Sequence, residues 1–211
     1  MDSRHRVLFF LLAAVIILLI ATAVLVDGPG RALSGFVELQ LHPARLIHDF
    51  VEIRGIGATL INGALVGSIG LFLVLLNKVS LSGPTYAAIL TLIGFGLFGK
   101  TPFNIVPIFF GVYLSAKYVG KSFKEYIIIA LFGSALGPLV STLAFELGLP
   151  HTVSLIIAIA GGVGTGFLLP AIAVSMLHLH QGYSLYNIGL TCGFFGLFAA
   201  SLMRAGGHRF Q

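Results

Sequence analysis

Uncharged apolar runs recur along this chain, several of them about 20 residues long, the length a helix needs to cross the hydrocarbon core of a bilayer. Residues 7–26, 55–77, 79–99, 126–145, 152–177 and 183–203 each lack Asp, Glu, Lys and Arg, and 101–116 is a seventh, shorter run. Helices satisfy their own backbone groups in lipid. The expected fold class is therefore all-α, a polytopic membrane bundle of about seven hydrophobic segments. Composition agrees: of 211 residues 57% are hydrophobic and 9% charged, against about 25% charged in a soluble domain. The net charge of +5 is spread singly between apolar runs, which excludes a nucleic-acid face and leaves the basic residues as topology markers. One cysteine, Cys192, excludes a disulfide within the chain and a thiolate metal site.

Arg4 and Arg6 precede the first run, while Lys117, Lys121 and Lys124 form the densest basic stretch. The positive-inside rule puts both in the cytoplasm. The loop 146–151 has no Lys or Arg and belongs outside. Ala21-Thr22-Ala23 resembles a signal-peptide cleavage site, but the run before it exceeds the usual ~7–15 residue apolar core of a signal. Residues 27–54 carry seven charges, Asp27, Arg31, Glu38, Arg45, Asp49, Glu52 and Arg54. Ile47, Phe50, Val51 and Arg54 share a helical face there, which predicts a short interfacial helix over 35–53. Counting spans 7–26 and 55–77 and the pair 79–116 from a cytoplasmic N-terminus brings the lysines inside. That holds whether 79–116 is two crossings or a re-entrant hairpin.

An internal similarity adds an organising principle. Leu60-Ile61-Asn62-Gly63-Ala64-Leu65-Val66-Gly67 aligns with Leu185-Tyr186-Asn187-Ile188-Gly189-Leu190-Thr191-Cys192-Gly193, allowing Ile188 as an insertion, and both continue to Gly-Leu-Phe. By parity the copies cross in opposite directions, an inverted-repeat plan of the kind solute transporters use. The first repeat is then 1–125 and the second, 126–211, is incomplete, with spans 126–145, 152–177 and 183–203. The expectation is a fragment of a longer chain or a complementing half from another.

Ser82-Gly83-Pro84-Thr85 reads as a helix start. That helix is interrupted by Gly99-Lys100-Thr101-Pro102-Phe103-Asn104 after about 21 Å, a half-crossing. Irregular backbone at membrane depth needs protein or a water-filled cavity to satisfy it, so the break predicts a cavity. Lys100 either lies at depth or marks the interface between two tilted helices. Asn62 and Asn104 are candidates for the pathway or for ordinary interhelical bonding. Gly94 through Thr101 matches the phosphate-loop pattern literally, but a helix precedes it and Pro102 follows, so nucleotide binding is rejected.

Gly161, Gly162, Gly164 and Gly166 allow close helix contact or loosen a helix beside a pathway. His178 and His180 point to different faces, and His48 with Glu52 has no second zinc-spaced pair, so no metal site is expected. His-Glu-x-x-His and Gly-x-Ser-x-Gly are absent, and no cofactor or catalytic group is expected.

Residues 56–67, 92–104 and 182–189 resemble a bacterial multi-pass membrane family catalogued only as a domain of unknown function. That resemblance implies a cell membrane location, in the bacterial inner membrane. Asn62-Gly63-x-Leu65-Val66-Gly67 with Thr101-Pro102-Phe103-Asn104 is also similar to the Asn-Gly-x-Leu-Val-Gly and Leu-Pro-Phe-Asn elements of urea transporters. Those are inverted-repeat channels, typically trimeric. The resemblance implies Asn62 and Gly63 at a half-helix end facing the pore and Phe103 on its wall. The expected function is a channel or facilitator for a small polar solute, with a pathway of Asn62, Gly63, Lys100, Phe103, Asn104, Asn187 and Thr191. The expected partners are the lipid bilayer, the solute and further copies of the chain. The alternatives are an enzyme on a lipid-linked substrate, which needs His48, Glu52, His178 or His180 to converge, and an inactive fragment or assembly subunit.

Overall fold

The first apolar run does not stop at the first charges: helix α1 (Ser3–Gln40) carries through them, broken once at Gly28 (φ 75°, ψ 157°). Only glycine adopts that left-handed backbone cheaply, and Pro29, which has no N–H to lose, restarts the helix. The computed structural model describes residues 3–43, 49–183 and 186–207 and is helical, with turns, throughout them. Beyond Gly28 the buried positions are Ala32, Gly35 and Leu39, while Arg31, Leu33, Ser34, Val37 and Glu38 are exposed. That spacing lays residues 29–40 along the bundle surface on one narrow face.

Helix α2 (Phe50–Leu76) is capped by Asp49, whose side chain accepts from the Val51 N–H, and breaks at Gly55 (φ 84°, ψ 170°). Asp27 Oδ2 accepts from the Gly57 N–H at 2.5 Å, so a carboxylate at the break of α1 caps the restart of α2. Asp27→Ala is expected to lower stability by about 1 kcal/mol and Asp27→Asn by less, read from thermal melts in detergent.

The interfacial helix expected over 35–53 is not one element. Residues 35–40 belong to a segment that begins at Pro29, a turn follows at Leu41 and His42, and Phe50 opens α2. The Gly28 break sets the start earlier, and the Asp49 cap starts a new helix. Arg45, Ile47 and His48 lie outside the described residues. Arg54 and Glu38 pair at 2.6 Å across the two segments, a half-exposed contact of small energetic weight.

Helices α3 (Gly83–Phe95) and α4 (Pro102–Tyr118) each open on a capping box and a proline, Ser82 with Thr85 and Thr101 with Asn104. Gly63, Gly67 and Gly70 of α2 face Leu97, Ile93 and Leu92 in turn, which makes α2 and α3 antiparallel. His5 Nδ1 accepts from the Leu81 N–H at 2.9 Å, bringing the start of α1, the end of α2 and the start of α3 to one end of the bundle. Tyr113 of α4 shares a cleft there with Asn77 and Phe123. The α3–α4 hairpin thus has both outer ends at the N-terminal end of the bundle, and Lys100 and Thr101 at its turn are buried.

The chain then climbs through a 3-10 turn (Phe123–Tyr126), α5 (Ile127–Gly133), a second 3-10 turn (Ser134–Leu136) and α6 (Gly137–Phe145), and returns along α7 (His151–His180). Helix α8 (Asn187–Ala205) starts against Ala173 and passes Gly133 and Leu136. It therefore runs opposite to α2. Five segments are long and apolar enough to cross a bilayer: His5–Gln40, Phe50–Leu76, Phe123–Phe145, His151–His180 and Asn187–Ala205. The remaining pair, α3 and α4, have 13 and 17 residues, or about 20 and 26 Å. The protein is an integral membrane protein.

Packing divides around α4. One apolar core joins Ile105, Phe109 and Val112 to Val66, Ile89, Leu92 and Leu131, and a second joins Ile108 to Val140, Ala158 and Leu169. Of the glycine cluster in α7, Gly162 lies against Pro107 and Val140, Gly161 against Leu143, and Gly166 against the Ile108 carbonyl; Gly164 faces open space. The cluster packs helices together.

Candidate functional site

The last carbonyls of α3 accept from the N–H groups of the turn that follows, and two asparagines take carbonyls of that turn, which have no helical partner. Asn62 Nδ2 donates to Gly96 O at 2.6 Å and to Lys100 O at 2.7 Å. Asn104 Nδ2 donates to Gly99 O at 2.9 Å and to Ser141 Oγ at 3.0 Å, while its Oδ1 accepts from the Thr101 N–H at 3.0 Å. Both asparagines are fully buried. The carbonyls of the break are thus satisfied by side chains. An apolar cleft borders the break at Pro102 and Phe103, with Phe110 and Ile159 beside them, and a second cleft, with Asn187, Phe132 and Leu177, lies apart from it.

Gln40 reaches into the same place from the surface segment. Its Nε2 donates to Asn62 Oδ1 at 3.2 Å and to Phe36 O at 3.0 Å, and its Oε1 accepts from the Phe103 N–H at 3.4 Å. Residues 29–40 therefore end as a latch on the hairpin tip.

Lys100 is 0% exposed. Its Nζ donates to Ser134 Oγ at 2.9 Å and stands 5.0 Å from the centre of the Phe95 ring; Ser134 in turn donates to Leu131 O at 2.6 Å. Ser134 opens the 3-10 turn between α5 and α6, and Gly137 beyond it faces Asn104. Two interrupted helical segments therefore meet at one depth. No carboxylate pairs with Lys100 among the described residues. A cation at the centre of a membrane helix costs about 2.5–3.5 kcal/mol on insertion scales, offset here by one hydroxyl and one ring face.

A family profile described as a protein of unknown function, DUF1576, matches residues 28–205. The chain belongs to the DUF1576 family. No curated protein and no solved structure matches it. The DUF1576 match spans every residue of the polar layer, from Gln40 to Ser141, and the whole of α8.

Of the residues singled out from the sequence of this DUF1576 chain, Asn62, Lys100 and Asn104 come together. Gly63 packs under Leu97 to let α3 close on α2. Phe103 gives its N–H to Gln40, and its ring lies 5.7 Å from that of Phe145. Thr191 is buried and donates to Asn187 O at 2.8 Å, and its neighbour Cys192 points at the Gly133 carbonyl beside Ser134. Asn187 sits apart, donating to Ala173 O at 3.0 Å and bonded to His180 Nε2 at 2.8 Å. Gln40, Ser134 and Ser141 were missed. Glu52 lies in the first turn of α2, at the far end from Leu81 and the start of α3, whereas Leu177 at the foot of α7 shares a cleft with Pro84. Glu52 and the His178–His180 pair are thus separated by the straight part of α2, about 30 Å. His48 lies outside the described residues.

Proposed function

We propose that this DUF1576 protein is a membrane channel or facilitator for a small polar solute, with its pathway crossing the layer formed by Asn62, Lys100, Asn104 and Ser134. The observation that carries the reading is the meeting of two interrupted helical segments on a buried, hydrogen-bonded cation. Irregular backbone persists at membrane depth where it lines a route or is buried in protein, and discontinuous helices form the binding sites of many transporters. In this reading 79–116 is a re-entrant hairpin and the N-terminus is cytoplasmic. The opposed directions of α2 and α8 support the inverted-repeat plan. The packed layer is the closed state, with Gln40 as its latch. The similarity of the Asn62 and Thr101–Asn104 motifs to urea transporters points the same way, including a homo-oligomeric assembly.

The test is solute uptake in proteoliposomes by stopped-flow light scattering, with urea, ammonium, glycerol and small organic and inorganic anions. At least one is expected to enter faster than into empty liposomes, and Gln40→Ala should raise that rate severalfold by releasing the latch. Uptake no faster than through bare lipid for every solute overturns the reading.

A further inference from the structure

We propose that the solute is a small monoanion, of the size of formate or nitrate, which enters the layer as the counter-ion of Lys100. This rests on the pathway reading above and narrows it to a charge class.

Every carboxylate in the described residues lies away from Lys100. Asp27 holds Gly57, Glu38 pairs with Arg54, Asp49 caps α2 and Glu125 caps the 3-10 turn at Ser122. Glu52 is exposed in the first turn of α2, and Glu146 closes the outer end of α6. The groups that face Lys100 are Ser134, the Phe95 ring and, from α8, Cys192. A single hydroxyl oxygen serves an ammonium with three donors.

The backbone around Lys100 brings helix ends of both signs together. Helix α4 starts at Pro102, immediately after Lys100, and α6 starts at Gly137 against Asn104. Two helix C-termini also end there, α3 at Phe95 and α5 at Gly133. The α5 carbonyls accept from Ser134 and Cys192, and those of the turn after α3, at Gly96, Gly99 and Lys100, from the amides of Asn62 and Asn104. The first N–H groups of α4 are taken in turn by Thr101, Asn104 and Gln40. Helix ends of both signs are thus capped, and the charge left in the layer is that of Lys100. A neutral solute needs no such arrangement, and a cation would be repelled by it.

The experiment measures uptake of formate, nitrate, urea and ammonium in the same proteoliposomes, with the membrane potential set by potassium and valinomycin. Formate or nitrate entry is expected to exceed urea entry at least tenfold, to be driven by an inside-positive potential, to survive Lys100→Arg, and to fall at least tenfold in Lys100→Gln. Independently of whether the variants fold, formate or nitrate should raise the melting temperature of the wild-type protein, while gluconate at equal ionic strength should not. Entry of urea or ammonium without anions overturns the anion assignment and leaves the pathway reading standing. Anion entry unchanged in a folded Lys100→Gln protein, or a melting temperature indifferent to formate and nitrate, also overturns the assignment. Entry of no solute at all overturns both.

Discussion

Gly111→Leu and Gly166→Leu are each expected to abolish recovery of folded, monodisperse protein, and the corresponding alanine variants to melt far below wild type. A Cβ on Gly111 falls on the Val163 carbonyl oxygen and within 2.9 Å of Gly166, and one on Gly166 falls on the Ile108 carbonyl oxygen. Backbone lies against backbone here, so no side chain can rotate aside and α4 and α7 must separate. Overpacking costs about 1–3 kcal/mol where neighbours can adjust, and this crossing sits at or above the top of that range. Gly164 is the internal control, because a Cβ there meets nothing within 4 Å. Gly164→Ala should be neutral or stabilising, by up to about 1 kcal/mol from helix propensity. Thermal unfolding followed by size-exclusion fluorescence reads all three positions. If Gly111→Ala and Gly164→Ala melt alike, the close crossing is not what holds α4 to α7.

The second large effect is expected at Asn62. Leucine there removes both donors from Gly96 O and Lys100 O and leaves Gln40 without its side-chain partner. Each buried group left unsatisfied costs about 1–3 kcal/mol, so the variant should lose about 2–6 kcal/mol. Asn62→Asp should be comparably severe, since an oxygen then faces two carbonyl oxygens. The single cysteine offers a local readout: Cys192 is 6% exposed and points at the α5–α6 turn. Its labelling by a small maleimide should be slow in wild type and at least tenfold faster in Asn62→Leu. Unchanged melting and labelling would mean that the break is held by something other than the asparagine.

Much of this arrangement was legible from local chemistry. Ser82-Gly-Pro-Thr85 announced a helix start, and the stretch Gly99 to Asn104 marked the break, although α4 already begins inside it at Pro102. The glycines of α7 were readable as a packing surface. What could not be read depends on partners distant in sequence. Gln40 lies in a charged stretch that looks solvated, and only the bends at Gly28 and Gly55 bring it to Asn62. Ser134 looks like any serine in an apolar run until Lys100 reaches it. The restart at Pro29 was not read, because from sequence a glycine at positive φ does not show that a helix resumes after it. Asn187 matches Asn62 in type, yet its amide finds the carbonyl of the helix before it in the chain rather than the one after. Likeness in sequence carries residue types more faithfully than it carries partners.

Residues 29–40 form a lever about 18 Å long, with its fulcrum at Gly28 and its tip at Gln40. A tilt of about 10° carries the tip about 3 Å, which is enough to part Gln40 from both Asn62 and Phe103. The body of the lever lies on the bundle surface with Leu33 and Val37 turned outward. A displacement of that surface segment would therefore be magnified at its tip, on hydrogen bonds buried beneath it.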